Sequence, residues 1–197
     1  MTKKILITGF PTFHTHKSNP TESVFEYINF DPKIFNLEKL ILPVSFENGF
    51  SLLKTKLSHD PPDVLIMLGL AASRSEISLE RVAINLLHCD RKDNIGKVIQ
   101  NTKIRVDGKA AFFSTLPLEK IAHKLTSKNI PFHFSNTAGT YICNMIFYQA
   151  LEFIEQSKLN TLAGFIHVPP TKELLPTARL SIKELGHELS ILIQPLT

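Results

Sequence analysis

Cys143 stands where a short polar turn meets an apolar helical pattern. The turn, residues 135–140, consists mainly of serine, asparagine and threonine, which cap helices, and it contains one glycine. From Asn144 to Ser157 apolar residues recur at three- and four-residue intervals, which predicts a half-buried helix. Because free N–H groups at a helix start favour a thiolate and can bind an oxyanion, Cys143 is the candidate nucleophile.

His167 is the candidate general base for this nucleophile. It ends an apolar strand pattern that starts at Thr161 and stops at a proline pair, and histidine titrates near neutral pH. His88 and His133 also lie beside apolar residues but close no comparable strand. Two alternatives stay open, because both are common in proteins: His167 is a hydrogen-bonded core histidine, and Cys143 is a buried residue that acts as a small hydrophobe.

Glu80 and Arg81 place charges inside a strand-like segment that continues to Leu86. If these side chains are buried, they must be partnered or functional, because an isolated buried charge is costly. The alternative is an ion pair on the surface.

Two phenylalanines, Phe10 and Phe13, follow the first predicted strand. In open α/β sheets ligands bind beyond the carboxyl ends of the strands, so both are candidate pocket walls. His14 and His16 in the same loop lack the further ligands of a zinc motif and are expected at the surface.

Strand and helix patterns alternate along the chain, which predicts an α/β layered sandwich. The continuous apolar run Val64–Gly69 is typical of a central strand covered on both faces. The other predicted strands cover residues 3–10, 37–44, 104–106, 130–134 and 161–170, and the predicted helices cover residues 21–30, 46–58, 118–127, 144–157 and 177–193.

The 197 residues, 43% of them hydrophobic, suit one domain with a single sizeable core. The net charge of +4 comes from lysines spread along the chain, without a basic cluster interleaved with aromatics, so nucleic-acid binding is not favoured. No signal peptide or membrane span is predicted. A cytoplasmic protein is expected, with Cys89 and Cys143 as free thiols.

Four segments together resemble pyroglutamyl peptidase type I, the cytosolic pyrrolidone-carboxylate peptidases. The resemblance follows the family's order along nearly the whole chain. It rests on Gly9-Phe10 with Phe13 and Asn19-Pro20, on Glu80-Arg81-Val82-Ala83 with Asn85, on Ser135-Asn136-Thr137-Ala138-Gly139 with Tyr141-Ile142-Cys143-Asn144, and on Gly164-Phe165-Ile166-His167-Val168-Pro169.

The resemblance implies a cysteine omega-peptidase that removes N-terminal pyroglutamate from peptides through a thioester. By matching position, Cys143 is the nucleophile, His167 the general base and later acid, and Glu80 the group that orients the imidazole. The implied fold is a single domain, residues 1–197, built as a three-layer α/β/α sandwich around a mixed, mostly parallel twisted sheet of the phosphorylase/hydrolase-like kind. A homotetramer is also implied, whereas a metal, an organic cofactor, a membrane or a nucleic acid is not.

The same resemblance implies a pocket in which a flat lactam lies between aromatic and aliphatic walls. Its residues would be Phe10, Phe13, Tyr141 and Ile142, with Ser45, Leu70 and the Arg91 loop nearby. Leu70 departs from the glutamine usual in the family, as His14-Thr15 and Thr12 depart from its glycines and proline. Two alternatives are therefore a peptidase or amidase with the same triad but another acyl preference, and a non-catalytic binding protein.

Overall fold

The structure, a computed structural model, describes residues 2–12 and 18–196. Phe13, His14 and His16 lie outside the described residues. The strands are β1 Lys3–Gly9, β2 Phe35–Ile41, β3 Val64–Leu70, β4 Ile77–Glu80, β5 Val82–Ile84, β6 Leu87–Cys89, β7 Ile99–Thr102, β8 Ala111–Phe113, β9 Phe132–Ser135 and β10 Leu162–Val168. The α-helices are α1 Pro20–Ser23, α2 Ser51–His59, α3 Leu118–Ser127, α4 Ile142–Gln156 and α5 Ile182–Ile193.

Six strands form the main sheet in the order β2-β1-β3-β10-β4-β9. All neighbours are parallel except β10 and β4, so the sheet is mixed and mostly parallel, as predicted. Its central strand β3 is buried from Val64 to Gly69, which confirms the prediction from its apolar run. The antiparallel pairs β5–β8 and β6–β7 lie outside this sheet.

Two apolar clusters cover the two faces of the main sheet. On one face Ile166 and Val168 of β10 pack in a cluster with side chains of α3 and α5. On the other, Ala163 and Phe165 of the same strand pack in a cluster with α2 and α4. Alternate residues of a strand point to opposite faces, so one strand contributes to both clusters. The three-layer α/β/α architecture is therefore confirmed.

The carboxyl ends of the parallel strands and one face of the sheet position the candidate site. Strands β1, β3 and β10 are parallel, so their carboxyl ends, at Gly9, Leu70 and Val168, lie at the same end of the sheet. The antiparallel strand β4 places Glu80 opposite Phe165, on the same face as His167. Diagonal neighbours across such a ladder are within reach of long side chains. This single reversal of direction brings Glu80 to His167.

Four predicted elements differ from the structure. The helix predicted from residue 46 begins only at Ser51. Residues 21–30 form only the short helix α1 and a 3₁₀ turn, Val24–Glu26. The predicted strand at residues 104–106 is a turn, because the Asn85 amide takes both backbone groups of Arg105, at 2.7 and 2.9 Å, in place of a ladder. The last helix begins at Ile182, where Ser181 and Glu184 form a capping box. None of the described helices is long and apolar enough to cross a membrane.

Candidate active site

His167 and Glu80 form a buried hydrogen-bonded pair on the sheet face that α4 covers. The imidazole Nδ1 lies 2.8 Å from Glu80 Oε1, and the side chains are only 7% and 0% exposed. Because an ionised carboxylate can only accept, Nδ1 must carry the hydrogen, which leaves Nε2 of a neutral ring free to accept a proton. This is the arrangement of an oriented general base.

Arg74 binds the same carboxylate. Its Nη1 donates to Glu80 Oε1 at 2.6 Å. Burial alone would raise the pKa of Glu80, but the hydrogen bonds with His167 and Arg74 outweigh it and hold the pKa below its ordinary value. The Ser135 hydroxyl itself donates to the Thr137 carbonyl at 3.1 Å, and Glu80 Oε2 has no hydrogen-bond partner among the described residues.

Cys143 occupies the first turn of α4, as its sequence context predicts. Tyr141 is the N-cap residue and its side chain makes no capping hydrogen bond, so the first N–H groups of α4 have no intrahelical partner. The sulfur lies over Gly69, where an added Cβ would come within 3.0 Å of Sγ and 2.7 Å of the Phe165 ring. Gly69 pairs with His167 in the β3–β10 ladder, so the thiol and the imidazole are brought to one place.

Desolvation favours the neutral form of the Cys143 thiol in the ligand-free protein. Desolvation by burial, with the negative charge of Glu80 in second place, raises the pKa of Cys143 to about 12. Its own backbone hydrogen bond and Arg74 act in the opposite direction but are weaker. The sequence predicts a thiolate stabilised by the helix start, and desolvation opposes that effect.

Cys143 and His167 open on a cavity of about 160 Å³. This is well below the roughly 300–1,000 Å³ usual for drug-sized ligands, so it suits one small ring. Its walls are mostly apolar and include five of the residues predicted to bind substrate. The cavity is lined by Phe10, Asn19, Val44, Leu70, Arg91, Ala138, Tyr141, Ile142, Cys143 and His167.

Ser45, which the family resemblance implies to be near the substrate, is not among the described lining residues but adjoins one of them. It is buried beside the lining residue Val44, and its hydroxyl accepts the backbone N–H groups of Glu47 and Asn48, each at 3.2 Å. Its hydrogen bonds therefore stabilise a turn behind the cavity wall. Phe13 lies outside the described residues.

The loop that carries Arg91 is fastened to both of its neighbours. The buried Asp93 carboxylate accepts the backbone N–H groups of Phe46, Ile95 and Lys97 at 2.8–3.0 Å. The Tyr141 hydroxyl donates to the carbonyl of Lys92 at 2.9 Å. One wall of the cavity is thus built from loops held by hydrogen bonds.

Asn144 joins the nucleophile helix to the segment that follows Glu80. Its amide accepts from Ile84 N at 2.9 Å and donates to the carbonyls of Ile84 and Leu86. Three hydrogen bonds from one fully buried side chain fix the start of α4 against β5. No role was predicted for Asn144 or Arg74, although an asparagine on an apolar helix face is a signal of such a buried link.

Across residues 2–12 and 18–196, no three histidine, cysteine, aspartate or glutamate side chains come together as metal ligands.

A family profile described as pyroglutamyl peptidase matches residues 3–186. The chain belongs to the pyroglutamyl peptidase family. It is 37% identical to the pyrrolidone-carboxylate peptidase of Halalkalibacterium halodurans over 201 residues, which cover 98% of each chain. This family membership and the enzyme class, a peptidase and hydrolase, are confirmed.

Solved structures of family members have the same fold. Pyroglutamyl peptidase I from Bacillus amyloliquefaciens superposes with a TM-score of 0.92 at 31% identity, over 99% of this chain and 95% of that one. Pyrrolidone carboxyl peptidase from Thermococcus litoralis gives a TM-score of 0.91 at 31% identity, over 98% of this chain and 92% of that one.

Proposed function

We propose that this member of the pyroglutamyl peptidase family hydrolyses the bond that follows an N-terminal pyroglutamyl residue in peptides, with Cys143 as nucleophile and His167 as general base. The observation that carries this proposal is that the thiol and the Glu80-bound imidazole open on one small, mostly apolar cavity. Glu80 holds the imidazole by its Nδ1–H throughout the reaction.

The charge pattern of the cavity supports a neutral acyl group. Apart from His167, the only ionisable side chains among its described lining residues are Arg91, Tyr141 and Cys143. A free α-ammonium would lose its hydration there, would find no carboxylate, and would meet the positive charge of Arg91. A lactam carries no charge and packs well against Phe10 and Ile142.

The acylation step follows from these positions. Sγ attacks the pyroglutamyl carbonyl carbon while His167 Nε2 takes the thiol proton, because desolvation favours the neutral thiol over a free thiolate. The N–H groups at the start of α4 face the oxyanion. The C–N bond then breaks, and the imidazolium gives its proton to the leaving amine, which leaves a thioester on Cys143.

Deacylation repeats these roles with water. His167 takes a proton from water as its oxygen attacks the thioester carbonyl. The C–S bond breaks, the proton passes to the sulfur, and free pyroglutamate leaves. The cycle consumes one water per peptide bond and needs no other reactant.

Leu70 favours a second candidate, a peptidase or amidase with the same catalytic groups but another acyl preference. It lines the cavity at the end of β3 and offers no side-chain hydrogen bond to a lactam. A lactam donor left unpaired would cost about 1–3 kcal/mol. The intact Glu80–His167 contact supports catalysis over a binding-only role.

The test is fluorophore release from a pyroglutamyl amide by the reduced protein, beside prolyl and N-acetyl amides. Cys143→Ser removes the nucleophile, and Cys89→Ser is the matched control for the other free thiol. We expect turnover of the pyroglutamyl amide alone, lost only in Cys143→Ser. Faster turnover of another amide supports the second candidate, and equal activity of Cys143→Ser contradicts the nucleophile assignment.

Residues 1–197 form one catalytic domain in this proposal, and the protein acts in the cytoplasm on pyroglutamyl peptides. Binding of nucleic acid or membrane has no part in it. The tetramer implied by the family resemblance is proposed as well, and light scattering on the purified protein would test it.

A further inference from the structure

Arg74 is the one cation that contacts the Glu80 carboxylate in the described structure, and it does so from a fixed position. Its own backbone N–H donates to the Ala71 carbonyl at 3.0 Å, and Ala71 N donates to the carbonyl of Val168 at 3.0 Å. The backbone of Arg74 thus belongs to a turn that is hydrogen-bonded to Val168, the residue after His167. Its side chain is 25% exposed, whereas that of Glu80 is fully buried.

The guanidinium bridges two parts of the site that are far apart in sequence. Nη1 donates to Glu80 Oε1, the same oxygen that His167 contacts, and Nη2 donates to the Thr137 carbonyl at 3.2 Å. Thr137 belongs to the polar turn that leads into the Cys143 helix. A planar guanidinium can make both bonds at once, whereas an ammonium is a single point of charge.

We infer that Arg74 is a positioning residue that holds the Glu80 carboxylate against the His167 imidazole and ties both to the nucleophile turn. A fully buried carboxylate needs a permanent counter-charge, because His167 supplies one only when it is protonated. With Arg74 present, Glu80 accepts the Nδ1–H in both states of the ring. This inference rests on the proposed function, and it gives Arg74 no contact with substrate.

The ionisable groups that face Glu80 are Arg74, His167 and Cys143. Arg74 helps to lower the pKa of Glu80, so removal of the arginine charge should raise it. A protonated Glu80 no longer accepts the Nδ1–H as a carboxylate, so activity at low pH should be lost at a higher pH than in wild type. A purely structural arginine would lower the melting temperature without this movement.

The experiment compares wild type, Arg74→Met, Arg74→Lys and the matched control Arg81→Met on the pyroglutamyl amide across pH. Arg81 is the next residue after Glu80, but its guanidinium lies over the Phe134 ring, 4.3 Å from its centroid, and contacts the turn only at Asn136 Oδ1, at 3.4 Å, without a hydrogen bond to Glu80. For Arg74→Met we expect kcat to fall about 10- to 100-fold with KM within about twofold, and the acid limb to move upward. Arg74→Lys should keep the acid limb but recover only part of kcat, and Arg81→Met should match wild type.

The inference would be overturned if folded Arg74→Met had a kcat within about twofold of wild type and an acid limb within about 0.2 pH units of it, which is about the precision of such profiles. If wild type itself does not hydrolyse the amide, the proposed function fails separately. The inference is then decided by NMR of the His167 Nδ1–H, whose signal from the hydrogen bond to Glu80 is shifted or lost in Arg74→Met if the inference holds and stays unchanged if it does not. Should Arg74→Met not fold, unchanged kcat in Arg74→Lys would overturn the bridging role.

Discussion

The two sides of the cavity are built differently. The chemical side consists of Cys143, His167 and Glu80, which stand on a helix start and two adjoining strands, with Arg74 pairing the buried charge. A second wall includes Val44 and Arg91, which lie on a turn and a loop that Asp93 holds through backbone N–H groups. Groups on strands and helices are held more precisely than groups on loops. The wall can therefore change its substrate preference while the reacting atoms stay in place.

Loss of the base should give the largest effect. Removal of the imidazole in His167→Ala leaves the Cys143 proton without an acceptor, and we expect kcat/KM to fall about 10⁴- to 10⁶-fold. Steady-state kinetics on the pyroglutamyl amide measure this loss. His133→Ala is the control, because His133 lies on β9 and its ring contacts Glu76 instead of Glu80. A loss below about tenfold would assign the base to another residue.

The pH dependence of thiol alkylation tests whether burial or the helix start governs the charge of the Cys143 thiol. A thiol whose pKa is raised to about 12 has little thiolate at neutral pH. In His167→Ala, the iodoacetamide rate at Cys143 should therefore rise about tenfold per pH unit from about pH 7 to about pH 10. The Cys143→Ser variant gives the background from Cys89. A plateau near pH 8 would show that the helix start outweighs burial.

Gly69→Ala should disturb the packing around Cys143 on the chemical side of the cavity. The new Cβ would come within 2.7 Å of the Phe165 ring and 3.0 Å of Cys143 Sγ. Overpacking of this kind costs about 1–3 kcal/mol of stability, and displacement of the sulfur should lower kcat as well. Gly164→Ala is the control, because its Cβ would meet Ser114 and Leu116 at 2.4–2.6 Å on the other face of the sheet.

Denaturant unfolding and kcat separate the two glycine variants. Both should be less stable than wild type, but only Gly69→Ala should lose kcat in the fraction that remains folded. Equal kcat in both would mean that the position of the sulfur tolerates the added methyl group.

A substitution that loosens the Arg91 loop should raise KM. Asp93→Asn replaces a buried carboxylate that accepts three backbone N–H groups, and charged acceptors make hydrogen bonds roughly twice as strong as neutral ones. We expect a less ordered Arg91 loop, a KM about tenfold higher and a kcat within about threefold of wild type. Asp90→Asn on the exposed part of the same loop is the control. A fall in kcat at constant KM would show that the two sides are coupled.

Elements whose signals are local in sequence were predicted well, and those that depend on distant partners were not. The apolar run of β3 and the periodic face of α4 indicated both elements without any knowledge of the rest of the chain. The antiparallel placement of β4, which brings Glu80 to His167, is a pairing between residues 87 apart in sequence. No local pattern reports it, so the Glu80 role came only from the family resemblance.

The same limit explains what was missed. Arg74 lies among serines and alanines, a context that indicates surface, and its value comes entirely from Glu80 and Thr137. The apolar residues at 104 and 106 matched a strand, but Asn85 takes the Arg105 backbone groups that a strand would have used. Side-chain hydrogen bonds to backbone compete with ladders, and their partners lie elsewhere in the sequence.

Leu70→Gln should give the smallest effect and sharpen the boundary between the two sides, because Leu70 ends the strand that carries Gly69 and also lines the cavity. An amide there can pair with a lactam, so we expect kcat/KM for the pyroglutamyl amide to rise up to about tenfold relative to the prolyl amide. Leu70→Met, which keeps an apolar side chain of similar volume, is the control. If Gln and Met variants prefer the same substrate as wild type to the same degree, the lactam is recognised through backbone groups and Leu70 only fills space.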